Sequence, residues 1–187
     1  TKTNLGVAAI NSVPYALSEM TNLTLGNWTT IMYIIFIIIQ SLIYRKIDFK
    51  VILQIPFSYV MGSLLDFYNA MITFQSLNIM ESLLLMMIAI LLTGLGVYLV
   101  VGMDFVSNPP DGLVNALSYL LNKPFGNIKW IFDCLMMIVT IIMTLTIQGE
   151  IIGIGIGTLI SALLVGRSIQ MYSKYLDQYK NKIYKKV

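Results

Sequence analysis

Five long apolar runs constrain the fold of this chain most strongly. They have no lysine or arginine near their centres, and their approximate bounds are 28–44, 49–70, 79–102, 128–147 and 151–170. A helix needs about 20 predominantly apolar residues to cross a bilayer. The chain is 57% hydrophobic and 11% charged, whereas soluble domains carry about 25% charged residues. The sequence therefore predicts an all-α, polytopic transmembrane helical bundle in contact with the lipid bilayer.

The basic residues indicate how the runs are oriented. If the five runs alternate in direction, every lysine and arginine except Lys2 falls on one side of the membrane. Cytoplasmic loops carry an excess of these residues, so that side is predicted to be cytoplasmic and to hold the C-terminus. The basic, tyrosine-rich tail over 171–187 is expected to lie as a helical extension on anionic lipid.

Two polar, proline-bearing segments resemble each other. Residues 11–14 (Asn-Ser-Val-Pro) and 107–110 (Ser-Asn-Pro-Pro) are each followed by a short helix-like segment, by Gly-Asn and by a long apolar run. A repeated break of this kind indicates an inverted repeat with a binding site between its halves. Repeat 1 would cover about 1–75 and repeat 2 about 79–170, each a three-helix unit. The alternative is that proline and glycine merely punctuate two loops.

The two repeats differ in one helix. The run at 79–102 precedes the second polar segment, and no equivalent run precedes the first. The charge pattern gives the same result, because a chain without a visible signal peptide needs a further span to place Thr1 outside. We therefore expect a protein of six spans with both ends inside, whose first helix is absent from this chain.

Polar residues in or beside the apolar runs are candidates for a substrate-binding site. A charge in the hydrocarbon region costs about 2.5–3.5 kcal/mol on insertion scales, so it needs a partner or a wet cavity. The short helices could also be re-entrant, with N-termini that face an anionic ligand. The candidates are Asn11, Ser12, Asp66, Asn108, Asp111 and Asp133.

Each carboxylate also has a purely structural interpretation. Asp66 could be an interface residue at the end of a span, and Asp111 could cap the short helix that follows it. Asp133 could form a local pair with Lys129, four residues earlier on the same helix. From the sequence alone, each carboxylate can be either a substrate-binding residue or a structural one.

The sequence lacks the residues that most enzymes and metal sites use. It has no histidine and one cysteine, Cys134, which leaves no zinc site. No phosphate loop, nucleophile triad or nucleic-acid module is present. We therefore predict no enzyme activity, no catalytic residue, no metal, no cofactor and no nucleic-acid partner.

Three glycine- and asparagine-bearing patterns resemble the YczE/YyaS/YitT group of bacterial integral membrane proteins. They are residues 3–14 with Asn-Leu-Gly and Asn-Ser-Val-Pro, 62–66 with Gly and Asp, and 155–166 with Gly-Ile-Gly-Thr and Gly. The resemblance implies a location in the bacterial plasma membrane. It also implies an additional apolar helix before the Asn-Leu-Gly segment, and it implies no substrate.

Three functions fit these observations. The first is a small-molecule transporter or permease-like protein with its site between the two polar segments. The second is a substrate-binding membrane subunit of an energy-coupling-factor-type vitamin transporter. The third is a non-transporting accessory or regulatory membrane protein. The expected partners are an unknown small-molecule ligand and either further copies of the chain or transporter subunits.

Overall fold

The chain folds into seven α-helices within the ranges that its computed structural model describes. These ranges are 5–46, 48–71, 78–102 and 106–184, and the side chains of 177–184 are not included. A 3-10 turn over Ala9–Asn11 precedes the first helix. The helices are α1 (Ser12–Met20), α2 (Leu25–Tyr44), α3 (Phe49–Met71), α4 (Ile79–Gly102), α5 (Pro109–Leu121), α6 (Phe125–Gln148) and α7 (Ile156–Tyr184). The predicted all-α class is confirmed.

Four of these helices, α2, α3, α4 and α6, are long and apolar enough to cross a membrane. They coincide with the first four predicted runs, and their outer faces expose many isoleucine and leucine side chains. Because exposure of such apolar faces to water is unfavourable, these faces are expected to contact lipid. The protein is therefore a multi-pass integral membrane protein, with a polytopic helical bundle as predicted.

The fifth predicted run, 151–170, differs from the structure at its start. The helix α7 begins at Ile156, and it is not among the four apolar spans of the described residues. Gly153 has a φ of 78°, and its carbonyl accepts a hydrogen bond of 3.0 Å from the Val7 N–H. A left-handed residue bonded to a distant segment cannot belong to a regular helix. This pairing sets the later start of α7.

Helix ends follow local signals in the sequence. The Thr24 hydroxyl accepts a hydrogen bond of 3.2 Å from the Asn27 N–H and so caps α2. Two prolines begin α5, where their missing N–H groups are not needed. The helix α6 ends at Gln148, and Gly149, with a φ of 77°, caps its C-terminus. The helices α1 and α5, with 9 and 13 residues, are too short to cross the membrane.

The two short helices both pack against α2 and α6. Val13 of α1 and Val114 of α5 belong to one core cluster with residues of the two long helices. Within this cluster the rings of Phe36 on α2 and Phe132 on α6 meet edge to face, with centroids 5.5 Å apart. The helix α3 packs on α2, while α7 packs on α4 and α6. The centre of the bundle therefore lies between α1, α2, α5 and α6.

Two pairs of glycines bring long helices into close contact. A Cβ atom on Gly62 would lie 2.5 Å from the carbonyl oxygen of Gly26, and one on Gly166 would lie 2.6 Å from that of Gly126. Small residues allow such backbone approach between membrane helices. The pairs α2–α3 and α6–α7 thus both meet through a close glycine–glycine contact. The repeat boundaries at 1–75 and 79–170 stay a prediction.

Candidate substrate site

The N-termini of both short helices lie inside the bundle. Asn11 occupies the N-cap position of α1 and Asn108 that of α5, yet neither side chain caps its own helix. Within the described residues, the buried Oδ1 atom of each has no hydrogen-bond partner. An unsatisfied buried acceptor costs about 1–3 kcal/mol. Asn108, which also lines a cavity of the bundle, could therefore accept a hydrogen bond from a ligand.

A lysine and two carboxylates form a buried ionic cluster beside Asn108. Lys129 Nζ donates a hydrogen bond of 2.9 Å to Asp133 Oδ1 and lies 3.8 Å from Asp111 Oδ1. Their side chains are 4%, 4% and 10% exposed, respectively. The four-residue spacing places Lys129 and Asp133 on one face of α6, and Asp111 comes from the first turn of α5. We refer to Asp111, Lys129 and Asp133 as the ionic cluster.

The charges of the ionic cluster do not cancel. With all three groups ionised, two carboxylates face one ammonium and leave a net negative charge in a low-dielectric interior. Uncompensated buried charge is strongly unfavourable. The cluster is thus suited to hold a proton, or a cationic or hydrogen-bond-donating group of a ligand.

Two cavities reach the ionic cluster from different sides. One of about 350 Å³ is lined mainly by apolar residues of α4, α7 and the segment before α1, and it contacts Lys129 and Asp133. The other, of about 480 Å³, contacts Asn108 and Asp111 and is lined by residues of α3 and α4. Thr93 of α4 lines both cavities. The α4 residues that line the two cavities share one face of that helix. A small solute could therefore approach the cluster along either half of this face.

Asn108 also connects the start of α5, the helix that carries Asp111, to α2. Its Nδ2 atom donates a hydrogen bond of 3.4 Å to the Tyr33 hydroxyl. The Tyr33 side chain is almost fully buried in the core cluster. The first turn of α5 is thereby positioned between α2 and α6.

Ser12 links α1 to α6 and has little capacity left for a ligand. Its hydroxyl donates a hydrogen bond of 2.7 Å to the Ala9 carbonyl and accepts one of 2.8 Å from the Thr140 hydroxyl. Thr140 follows Asp133 by about two turns of α6. Ser12 therefore holds the N-terminus of α1 against α6, about two turns from Asp133 and outside the ionic cluster.

Asp66 lies apart from the other candidates, at the end of the bundle where α2 begins. Its Oδ1 accepts a hydrogen bond of 2.8 Å from the Gly26 N–H, and its Oδ2 accepts one of 2.7 Å from the Thr24 hydroxyl. A carboxylate in this position accepts a hydrogen bond from an N–H group that has no partner within the helix, and its charge interacts favourably with the positive end of the helix dipole. This geometry matches the structural interpretation of Asp66 as an interface residue at a span end.

The structure thus gathers only some of the sequence candidates. Asn108, Asp111 and Asp133 lie together, whereas Asn11 and Ser12 reach the same core from α1. The N-cap of α5 is Asn108, so Asp111 does not occupy the capping position that was its structural alternative. The sequence alone did not predict that Lys129 lies between Asp111 and Asp133. It also did not single out two buried glutamines, Gln40 and Gln54. A glutamine within an apolar run is a sequence signal that could have indicated these two residues.

Comparison with known proteins gives a family but no function. The sequence profile of a family of unknown function (DUF6198) matches residues 1–174. No curated protein and no solved structure matches the chain.

Proposed function

We propose that this chain, which belongs to the DUF6198 family of unknown function, is a small-molecule transporter or permease-like protein. Its substrate site would lie at the ionic cluster, between the N-termini of α1 and α5. The observation that carries the proposal is the buried cluster of Asp111, Lys129 and Asp133, which two cavities adjoin.

Physical reasons favour a site over a purely structural cluster. Ionisable residues inside a membrane bundle are costly, and they commonly mark substrate or ion pathways. Broken or short helices whose ends meet in the bundle centre are typical of transporter sites. The unpaired Oδ1 atoms of Asn11 and Asn108 add hydrogen-bond acceptors at both helix ends. These features support a substrate with a cationic or hydrogen-bond-donating group.

The proposal is tested by binding and then by transport. Mass spectrometry of the protein purified from cells should reveal a small molecule that co-purifies with it. The Asp111→Asn variant should lose that molecule, whereas a control at the exposed Glu81, Glu81→Gln, should retain it. In liposomes that contain only this protein, the identified compound should accumulate inside.

Other results would separate the alternative functions. Binding without uptake would contradict transport by the protein alone and would indicate a substrate-binding subunit that needs further components. Neither binding nor uptake, together with co-purification of other membrane proteins, would indicate an accessory role.

The proposal includes a location in the bacterial plasma membrane with a cytoplasmic C-terminus. The placement of basic residues and the resemblance to the YczE/YyaS/YitT group support it. With Cys134 replaced by serine, an Asn78→Cys variant should react with an impermeant thiol reagent in intact cells. Reaction only after lysis would contradict the orientation.

A further inference from the structure

A third cavity lies beside the same first turn of α5, and its inner wall is polar. Its volume is about 490 Å³, and it opens between the end of α2 and the start of α3. We refer to it as the amide cavity. The inner wall includes Gln40, Gln54, Ser107 and Gly112, and Asn115 lines the cavity at an exposed position.

Two glutamines from facing helices supply unsatisfied groups to this cavity. Gln40 of α2 is 4% exposed and Gln54 of α3 is 2% exposed. Among the described residues, neither Oε1 atom has a hydrogen-bond partner, and Gln54 Nε2 lies 3.4 Å from Ser107 Oγ. Burying such groups without partners is unfavourable by about 1–3 kcal/mol each. If these positions served only to stabilise the bundle, apolar side chains would do so better than glutamines with unpaired amide oxygens.

Gly112 allows the two side chains to converge on α5. A Cβ atom at this position would lie 2.5 Å from Gln40 Oε1 and 2.8 Å from Gln54 Nε2. The absence of a side chain therefore leaves room for both amide groups at one point of the wall. Three independent elements, α2, α3 and α5, contribute to a single polar surface.

The charges around the cavity restrict its ligand. Among the residues that the structure describes, none on the inner wall is ionisable, and Lys46, Asp48 and Lys50 line the mouth. Glutamine both donates and accepts, so a carboxamide pairs with it through complementary hydrogen bonds in either orientation of its amide group. A charged group would instead have no counter-ion at the inner wall.

We propose that the amide cavity binds a small uncharged solute that carries a carboxamide or urea group. The group would pair with Gln40 and Gln54, and the remainder of the solute would extend toward the mouth. This inference concerns binding, and it holds whether or not the protein transports the solute.

Three probes of equal chain length test the inference. Butyramide, butyrate and butylammonium are added separately to the full chain in lipid nanodiscs, and ligand-detected saturation-transfer NMR measures their binding. Butyramide should bind, and the two ions should bind about tenfold more weakly or not at all. Such a factor corresponds to the loss of one or two hydrogen bonds.

Variants locate the binding. Gln40→Leu and Gln54→Leu should each weaken butyramide binding about tenfold. The matched control is Gln170→Leu, because Gln170 is exposed and donates a 2.7 Å hydrogen bond to Asn127 outside the cavity. This control should leave butyramide binding unchanged.

A water-filled cavity without a ligand role would give different results. Equal binding of the three probes, no binding of butyramide, or unchanged binding in both leucine variants would overturn the inference. If the leucine variants fail to fold, Asn115→Phe provides a second test, since residue 115 is exposed at the cavity wall. That variant should exclude butyramide by filling the cavity, and unchanged binding would again overturn the inference.

Discussion

Replacing Lys129 by methionine should destabilise the protein strongly at neutral pH. Methionine is unbranched and of similar length, so it removes the charge while filling most of the space. In the native cluster, one ammonium lies 2.9 Å from Asp133 Oδ1 and 3.8 Å from Asp111 Oδ1. The variant would leave two carboxylates in a low-dielectric interior without a cation.

The magnitude follows from the burial of all three groups. Breaking a buried ion pair by removing one partner costs about 3–5 kcal/mol, a large share of a typical unfolding free energy of about 5–15 kcal/mol. Asp133→Asn is the matched comparison, because it leaves Lys129 and Asp111 as a pair without net charge. Its expected cost is that of one hydrogen bond to a charged group, about 1.5–3 kcal/mol.

Denaturant unfolding in detergent micelles, followed by tryptophan fluorescence, measures both variants. Protons can neutralise the two carboxylates of Lys129→Met, so its lost stability should return as the pH is lowered from 7 to 5. Asp133→Asn should change much less over this range. The electrostatic explanation would be wrong if Lys129→Met lowered the unfolding free energy by less than about 1 kcal/mol at pH 7. It would also be wrong if the loss were the same at pH 5 as at pH 7.

Two further changes test the packing and the role of Asp66. Gly126→Ala would place a methyl group 2.6 Å from the backbone oxygen of Gly166. We therefore expect its unfolding free energy, measured by thermal unfolding, to fall by about 1–3 kcal/mol. The control is Gly96→Ala: residue 96 has open space around it, so the unfolding free energy should rise by about 0.5–1 kcal/mol. Equal effects would contradict the close helix contact. Asp66→Asn should cost about 0.5–2 kcal/mol because Asp66 satisfies the N-terminus of α2, while the co-purifying small molecule is retained. Loss of that molecule from the folded variant would instead assign Asp66 to the site.

Much of the fold could be predicted because the bilayer imposes a length on apolar segments. The runs at 49–70 and 79–102 correspond closely to α3 and α4. The start of α7 could not be predicted, because it depends on a hydrogen bond between Val7 and Gly153, which are far apart in the sequence. No local pattern of hydrophobicity contains such a pairing.

The candidate site was predictable only in part for a related reason. Asp111 and Asp133 stood out because carboxylates near apolar runs need partners, and helical spacing identified Lys129 as the partner of Asp133. That spacing could not place Asp111 beside the same lysine, since α5 meets α6 only in the folded bundle. Asp66 gives the same sequence signal, yet its partners are the N–H and hydroxyl groups at the start of α2.

We propose that the ionic cluster binds the substrate of a transporter. The most direct test is the affinity of folded Asp111→Asn for the small molecule that co-purifies with the wild-type protein. We expect a fall in affinity of about tenfold or more, in protein that still elutes as a folded species. Unchanged affinity per folded molecule, with only the stability lowered, would contradict the claim and leave the cluster a structural role.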